Sequence, residues 1–218
     1  MSDPTPLERV EALYARVRSC QRCALARTRT NAVPGEGPLI SEILFIGEAP
    51  GMNEDKHGRP FVGAAGKFLD ECLAAAGVSR ETAYICNVLK CRPPSNRDPL
   101  PEEIEACGDY LKEQIELVSP LVIVTLGRYS MARFFPEHTI GKVHGRWKEL
   151  DGRFYVPMYH PAAALHQASL RETILEDFRH LPRVIERARS QSVPPENPPV
   201  EPFIVPSTTT ASQERLFD

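Results

Sequence analysis

Four of the six cysteines have a spacing that predicts a metal site. Cys20 and Cys23 form a CxxC pair at the end of a predicted helix. Cys91 follows a predicted strand, and Cys107 lies in a helix further along the chain. Four thiolates hold either a tetrahedral zinc ion or an iron–sulfur cluster, and the spacing alone does not decide between them. Cys91 and Cys107 are too far apart in sequence for the close pairs of a zinc ribbon.

The other two cysteines, Cys72 and Cys86, have a different setting. Each lies within an apolar helix or strand, where a free cysteine behaves as a small hydrophobic residue, so we expect both in the core. The first residues of the chain lack a signal-peptide core, and no apolar run approaches the length of a membrane helix. We therefore expect a cytoplasmic protein whose remaining thiols serve a metal or catalysis rather than disulfides.

The elements that must position these residues alternate along the chain. Thr5 and Glu8 predict a capping box at the start of the first helix. We expect Pro182 to kink or break the last helix. Strands that are apolar throughout and alternate with helices predict an α/β fold whose mostly parallel sheet is covered on both faces. The predicted strands are residues 42–47, 84–90, 121–127 and two flanking the Asp-Gly turn at 151–152; the further helices are 65–76, 101–118, 128–135 and one opening near 169.

Polar residues follow three of these strands. Gly47–Gly51 follows the first strand, Asn87–Arg92 ends the second, and His160 follows the last. In open parallel sheets, ligands bind beyond the carboxyl ends of the strands. We therefore expect these residues to share one site.

The composition changes at about Ser190. Residues 190–218 contain six prolines and the run STTTAS, which predicts a disordered tail after a folded domain at residues 1–189. The formal net charge of −3 resides in this tail, so the folded part is neutral overall. Bulk charge therefore gives no support for a nucleic-acid partner, which would need basic groups gathered on one face.

Four motifs occur in a fixed order, interleaved with the CxxC pair and Cys107. Together they resemble the family-four uracil-DNA glycosylases, iron–sulfur enzymes of bacteria and archaea, over roughly residues 7–182. The motifs are Gly47-Glu-Ala-Pro-Gly51 with Glu54-Asp55, Arg59-Pro-Phe-Val-Gly63, Asn87-Val-Leu-Lys-Cys-Arg-Pro-Pro94 with Asn96-Arg97, and His160-Pro-Ala-Ala163.

The resemblance implies a three-layer α/β/α sandwich and a DNA repair enzyme. Such an enzyme flips deoxyuridine out of single- or double-stranded DNA, hydrolyses its N-glycosidic bond and leaves an abasic site for base excision repair. We expect a monomer in the bacterial or archaeal nucleoid. Two alternatives stay open: a glycosylase that accepts further deaminated bases, and a non-catalytic, metal-bearing DNA-binding module.

By the same resemblance, three side chains recognise the extruded base. Phe61 stacks on uracil, because every base presents a π-face. Asn87 offers the donor and the acceptor that match uracil O4 and N3–H, and cytosine has the opposite polarity there. His160 donates a hydrogen bond to uracil O2 as negative charge develops.

The first motif is assigned to water and to base selection. Glu48 positions or activates the attacking water, although related glycosylases of another family carry an aspartate where this chain has Ala49. The backbone of Ala49 and Pro50 lines the uracil pocket. Glu54 fills the space beside uracil C5 and excludes the methyl group of thymine, where relatives use a tyrosine at the position of Gly51.

Further residues are expected to contact DNA. Leu165 is expected to wedge into the base stack where the nucleotide leaves. Lys90, Arg92, Arg97 and Lys142 are candidate phosphate contacts.

The resemblance also selects a [4Fe–4S] cluster over zinc. Its ligands would be Cys20, Cys23, Cys91 and Cys107, and the cluster would pin the loop that begins at Asn87. This chain has His144 where the family often has arginine, which changes a DNA or pocket contact. It lacks the basic insert of the uracil-trapping relatives, so we expect turnover.

The last residues suggest a partner. Gln213–Phe217 resembles the short peptides that bind the bacterial sliding clamp. A tethered apolar segment would raise the local concentration of the protein near replicating DNA.

Overall fold

A computed structural model of the chain describes residues 3–192. A five-stranded sheet lies at its centre, in the order β2-β1-β3-β5-β4. All neighbouring strands run parallel except β4, which pairs antiparallel with β5. The strands are β1 (Ile43–Gly47), β2 (Tyr84–Asn87), β3 (Val122–Leu126), β4 (Lys148–Leu150) and β5 (Arg153–Met158).

Helices cover both faces of this sheet. Two short 3-10 segments, Ala24–Arg27 and Pro94–Asn96, lie in loops. The helices are α1 (Pro6–Arg18), α2 (Met52–His57), α3 (Ala64–Ala75), α4 (Pro101–Val118), α5 (Arg128–Ala132), α6 (Ile140–Val143), α7 (Ala163–His166) and α8 (Leu170–Ser192). In the part of the chain that the structure describes, no helix is both long and apolar enough to cross a membrane.

The apolar strands are explained by cores on the two faces. Phe45 packs with Phe68 of α3 and Phe178 of α8 on one face. Leu44 and Ile46 belong to a second cluster on the other face, against α4 and α5. Since successive side chains of a strand alternate between faces, a strand covered on both faces is apolar at nearly every position. The predicted three-layer α/β/α sandwich with a mostly parallel sheet is confirmed.

Several local predictions are confirmed as well. At the start of α1, the Thr5 amide donates to Glu8 Oε2 at 2.7 Å and the Glu8 amide donates to Thr5 Oγ1 at 3.3 Å. Asp151 and Gly152 both have positive φ, 50° and 74°, as a type I′ hairpin turn requires. Cys72 and Cys86 are fully buried in the two core clusters.

Two element ends differ from the prediction, because the last helix is not broken at Pro182 and β2 is shorter than expected. Helix α8 continues through Pro182, whose exposed ring is flanked by buried Leu181 and Val184. Packing on both sides of the proline outweighs the one backbone hydrogen bond that it removes. Strand β2 ends at Asn87 rather than at Lys90, because the chain then turns. The predicted tail begins too early, because residues 190–192 still belong to α8; its remaining residues lie outside the described part of the chain.

Candidate active site

The carboxyl ends of the strands open into one cavity of about 770 Å³. It takes residues from the loops after β1, β2, β3 and β5, as expected for the binding edge of a parallel sheet. Phe61, Asn87 and His160 all line it, although they come from three distant parts of the chain. Glu48, Ala49, Pro50 and Glu54 line it too, so the structure brings the predicted base-contacting residues together.

Gly47 allows two of these side chains to meet. A Cβ atom at this position would lie 2.3 Å from Asn87 Oδ1 and 2.6 Å from Phe61 Cζ. Both distances are far below any normal contact, so every other residue would push the amide or the ring away. A glycine at the end of β1 therefore sets how closely the amide and the aromatic ring approach.

Phe61 has a strained backbone, with φ at 52°, which is unusual for an aromatic residue. Its carbonyl oxygen would lie 1.9 Å from a Cβ at Gly66, so the first turn of α3 packs directly against it. The Phe61 and His160 rings are 5.6 Å apart between centroids, with 28° between their planes. The packing of α3 maintains this strained backbone, with the aromatic ring at the cavity beside the imidazole.

Glu54 braces the loop that carries Phe61. Its Oε1 atom accepts hydrogen bonds from the amides of Val62 at 2.9 Å and Gly63 at 2.8 Å. Its Oε2 atom accepts one from the amide of Gly51 at 3.1 Å. The carboxylate thus joins the loop after β1 to the loop before α3. Its predicted exclusion of thymine stays a prediction, compatible with its place in the cavity wall.

Asn87 ends β2 and directs its side chain into the cavity. Asn87 Oδ1 is buried and has no hydrogen-bond partner. Buried polar atoms are nearly always paired, and an unpaired acceptor costs about 1–3 kcal/mol. A ligand that brings an N–H group to this atom would remove that cost.

His160 is set up as a neutral donor. Its Nδ1 atom accepts a hydrogen bond from the Ala162 amide at 3.1 Å, so the ring proton must be on Nε2. Burial lowers the pKa of His160 to about 4, although the charge of Glu54 raises it somewhat. At neutral pH the imidazole therefore offers one N–H group to the cavity without a positive charge.

Glu48 is a carboxyl group of the cavity wall with a shifted pKa. Burial and, to a smaller extent, the negative charge of Asp98 raise its pKa to about 7, and Arg128 acts in the opposite direction. At physiological pH a substantial fraction of this group is a carboxylate. A carboxyl poised near neutrality suits a general base.

The sequence reasoning missed several cavity residues. Arg128 follows β3 and pairs with Asp98 at 2.6 Å, and both line the cavity beside Glu48. Tyr159, next to His160, also lines it and packs against His144 with 4.6 Å between centroids and 39° between the ring planes. The rule that placed the other motifs at strand ends applies equally to Arg128, because β3 also belongs to the parallel sheet.

His144 stands where the resembling family often has an arginine, and its side chain is engaged by other residues of this chain. Its Nδ1 atom lies 2.7 Å from Asp177 Oδ2 of α8, and its ring packs on Tyr159. In this chain the residue joins α6, α8 and the cavity wall.

The predicted phosphate contacts have different surroundings in the structure. The prediction for Lys90 is wrong, because this residue is 1% exposed and lies beneath the site. Arg97 pairs with Glu103, and Arg92 donates to Asn96 at 2.7 Å. Lys142 is exposed on α6, and its contact with a DNA phosphate stays a prediction.

Leu165 is half exposed on α7, beside residues that line the cavity. Its side chain is 50% accessible, and its helix neighbours Ala163 and His166 both contribute to the cavity wall. An apolar side chain of this size at the edge of the site fits the predicted wedge, whose role stays a prediction.

The four spaced cysteines pack in one cluster with α1 and α4. Cys91 and Cys107 are buried there, and Cys20 and Cys23 pack against them partly exposed. Arg29 donates to Cys91 Sγ at 3.0 Å. Within residues 3–192, no group of three or more His, Cys, Asp or Glu side chains is close enough together to hold a metal ion.

Comparison with known proteins agrees with this geometry. Residues 34–181 match the family model for the uracil DNA glycosylase superfamily. The chain is 48% identical over 184 residues to the Type-4 uracil-DNA glycosylase of Archaeoglobus fulgidus, covering 80% of this chain and 92% of that protein. Identity to the Type-4 enzyme of Thermotoga maritima is 47% over 190 residues, covering 84% and 94%. The Type-5 uracil-DNA glycosylase of Pyrobaculum aerophilum is 29% identical, covering 60% and 65%.

Protonation of His160 is expected to destabilise the fold as the pH falls. Burial depresses its pKa from 6.5 to about 4. The unfolded chain therefore binds the proton first, and stability is lost as the pH drops through that window. Allowing for solvent in the cavity, we expect the residue to account for about 1–2 kcal/mol of the loss between about pH 7 and pH 5. Urea unfolding of the wild type and of His160→Leu at both pH values measures this difference.

The exposed His57 provides the control. His57→Ala should keep the pH dependence of the wild type, because that ring lies on the surface of α2. An unchanged pH dependence in His160→Leu would contradict the assignment of a buried, neutral imidazole.

Proposed function

The chain belongs to the uracil DNA glycosylase superfamily, and from that premise we propose how its cavity performs the reaction. The protein is a uracil-DNA glycosylase that acts in DNA repair. It hydrolyses the bond between uracil N1 and deoxyribose C1′, releasing uracil and leaving an abasic site in DNA. The roles of the individual side chains are proposals that rest on their positions in the cavity.

The buried, unpaired Asn87 Oδ1 atom is the observation that best supports uracil as the bound base. Uracil N3–H would donate to this acceptor, and Asn87 Nδ2 would donate to uracil O4. Cytosine has an acceptor at N3 and a donor at N4, so it would leave both amide atoms facing groups of the same polarity. Selection against such a base arises because buried polar groups would stay unpaired.

The neutral His160 supplies the main transition-state interaction. As the glycosidic bond breaks, negative charge moves onto the leaving base and towards O2. The Nε2–H group would donate to O2, and a fixed donor of this kind contributes about 3–4 kcal/mol. A neutral ring needs no proton uptake, in agreement with its lowered pKa.

Phe61 and Glu54 hold and select the extruded base. The strained Phe61 ring would stack on the face of uracil, which offsets part of the cost of taking the nucleotide out of the duplex. Glu54, fixed by three backbone amides, would occupy the space beside C5. The backbone of Ala49 and Pro50 would form the floor of the pocket.

Glu48 would deliver the water. In its ionised form it accepts a proton from, or orients, a water molecule that attacks C1′ after the base begins to leave. Its negative charge would also stabilise the positive sugar. The ion pair of Asp98 and Arg128 lies beside it; Asp98 raises and Arg128 lowers the pKa of Glu48, each by less than burial raises it.

The cysteines would hold a [4Fe–4S] cluster. Four thiols from the end of α1, the loop after β2 and α4 meet in one packed region, and thiolates are the ligands such clusters take. When bound, the cluster would cross-link three segments of the chain.

The DNA form acted on, the oligomeric state, the location and the protein partner are inferred from the sequence alone. Action on single- and double-stranded DNA, a monomeric state and a cytoplasmic location are predictions. The segment Gln213–Phe217, with its proposed sliding-clamp partner, lies outside the described residues. A broader range of deaminated bases is the second candidate activity. A non-catalytic module would have no need of Phe61, Asn87 and His160 in one cavity.

Removing the two base-contacting groups should abolish most uracil release. Asn87→Leu and His160→Leu each lose hydrogen bonds at similar volume, and we expect single-turnover rates on uracil-containing DNA to fall by about 10²–10³. His57→Ala, outside the cavity, should react like the wild type. Release at the wild-type rate by either cavity variant would contradict the proposed roles, and equal release of thymine or hypoxanthine by the wild type would indicate the broader activity.

The pH dependence should report Glu48. Because its pKa is raised to about 7, the active carboxylate forms as the pH rises through that value. We expect kcat/KM to increase up to about pH 7 and then level off. Glu48→Gln should be slower and should lose this limb, whereas Glu42→Gln on the surface should keep it. A persisting limb in Glu48→Gln would assign the titration to another group.

The four spaced cysteines should differ from the two core cysteines. Cys20→Ala and Cys107→Ala are expected to lose the visible absorbance and the iron content of the purified protein, because each removes a thiolate ligand. Cys72→Ala and Cys86→Ala remove equally sized groups from the core and should keep both signals. A colourless wild-type protein that contains zinc would overturn the choice of cluster.

A further inference from the structure

Lys90 is a buried lysine that the proposed reaction does not use. It is 1% exposed, and its ammonium group donates to the Asn87 carbonyl oxygen at 2.6 Å and to Gln114 Oε1 at 2.5 Å. None of the ion pairs found between residues 3 and 192 includes it. Burying an ammonium group without a carboxylate is costly, so the position of this side chain calls for a physical explanation.

One side of Lys90 contacts the cysteine site. Lys90 immediately precedes Cys91, and its backbone amide and its charge both partly offset the burial that raises the pKa of the Cys107 thiol. Its carbonyl accepts a hydrogen bond from the Val33 amide at 2.7 Å, which fixes the segment that follows the CxxC pair. Thiolate ligands at Cys91 and Cys107 would bring negative charge close to the ammonium group and offset its burial.

The other side of Lys90 holds the residue that reads the base. The parallel ladder of β2 ends where Asn87 pairs with Gly47. The next two amides, of Val88 and Leu89, donate to the carbonyls of Gly47 and Glu48. The Asn87 carbonyl instead accepts from Lys90, so this contact fixes the peptide plane that follows the reading side chain.

A buried polar network keeps the lysine in place. Gln114 of α4 accepts from Lys90 and donates to the Pro34 carbonyl at 2.6 Å and to the Tyr84 hydroxyl at 3.0 Å. Tyr84 in turn shares a 2.7 Å hydrogen bond with Tyr14 of α1. The two direct partners Pro34 and Tyr84 hold the Gln114 amide in place, which leaves Lys90 little freedom to move.

We propose that Lys90 is a positioning residue that links the four-cysteine site to Asn87, so that an intact cysteine site holds the base-reading amide in place. The inference rests on the proposed uracil-DNA glycosylase activity and deepens it. It gives the cysteine site a part in substrate recognition, through one side chain, in addition to its part in the fold.

A double-mutant cycle tests whether Lys90 acts through Asn87. Lys90→Met keeps an aliphatic chain but loses the donor, and we expect kcat/KM for uracil release to fall about tenfold or more. In the Asn87→Leu background, the same change should alter the rate by less than about twofold, because the group that Lys90 positions is gone. Lys90→Gln retains a donor and should recover part of the loss.

A second readout follows the cysteine site without relying on activity. The half-time of iron release to a chelator, followed by visible absorbance, should be at least about threefold shorter in Lys90→Met, because the donor and charge beside Cys91 and Cys107 are lost. Tyr14→Phe is the matched control: it breaks the far end of the same network, and both readouts should stay within about twofold of the wild type.

The outcomes separate the proposals. Equal effects of Lys90→Met in the wild-type and Asn87→Leu backgrounds, or failure of both Lys90→Met and Lys90→Gln to fold, would show a general structural role and overturn the inference. A wild-type protein that releases no uracil would instead overturn the proposed function. Whether or not uracil is released, iron release from Lys90→Met at the wild-type rate would refute the link to the cysteine site.

Discussion

At the carboxyl end of β1, the backbone of Gly47 lies against both the Asn87 amide and the Phe61 ring. A Cβ atom on Gly47 would lie only 2.3 Å from Asn87 Oδ1, so no side chain fits there. With the proposed roles, recognition of a flat base would depend on this close approach, because the amide would face the edge of the base while the ring faces its plane. The strain at Phe61, the brace from Glu54 and the packing of α3 all serve to hold the ring at this point.

Burial gives the polar groups of the cavity their chemical character. The same removal from water leaves Asn87 Oδ1 without a partner, lowers the pKa of His160 and raises that of Glu48. Burial makes both a charge and an unpaired polar atom costly in the cavity. In the proposed reaction, a bound base would pair with the amide and would use the altered pKa values. Preorganised groups of this kind need little rearrangement during the reaction, which is how fixed dipoles stabilise a transition state.

The fold could be predicted because its signals are local. Apolar strands, the Thr5 capping box and the Asp-Gly turn each depend on a few adjacent residues, and the motifs at strand ends indicated the cavity through the rule for parallel sheets. The errors arose where distant residues decide. Lys90 was predicted to contact a phosphate from a loop, yet it lies in the core and donates to Gln114 of α4. Pro182 stays within a helix because residues on both sides are packed.

The central claim is that Phe61, Asn87 and His160 contact one uracil at the same time. A crystal structure of the protein with free uracil tests this most directly. The account predicts the base stacked on Phe61, with N3 about 2.7–3.2 Å from Asn87 Oδ1 and O2 at a similar distance from His160 Nε2. Uracil bound with its Watson–Crick edge turned away from Asn87, or bound outside this cavity, would contradict it.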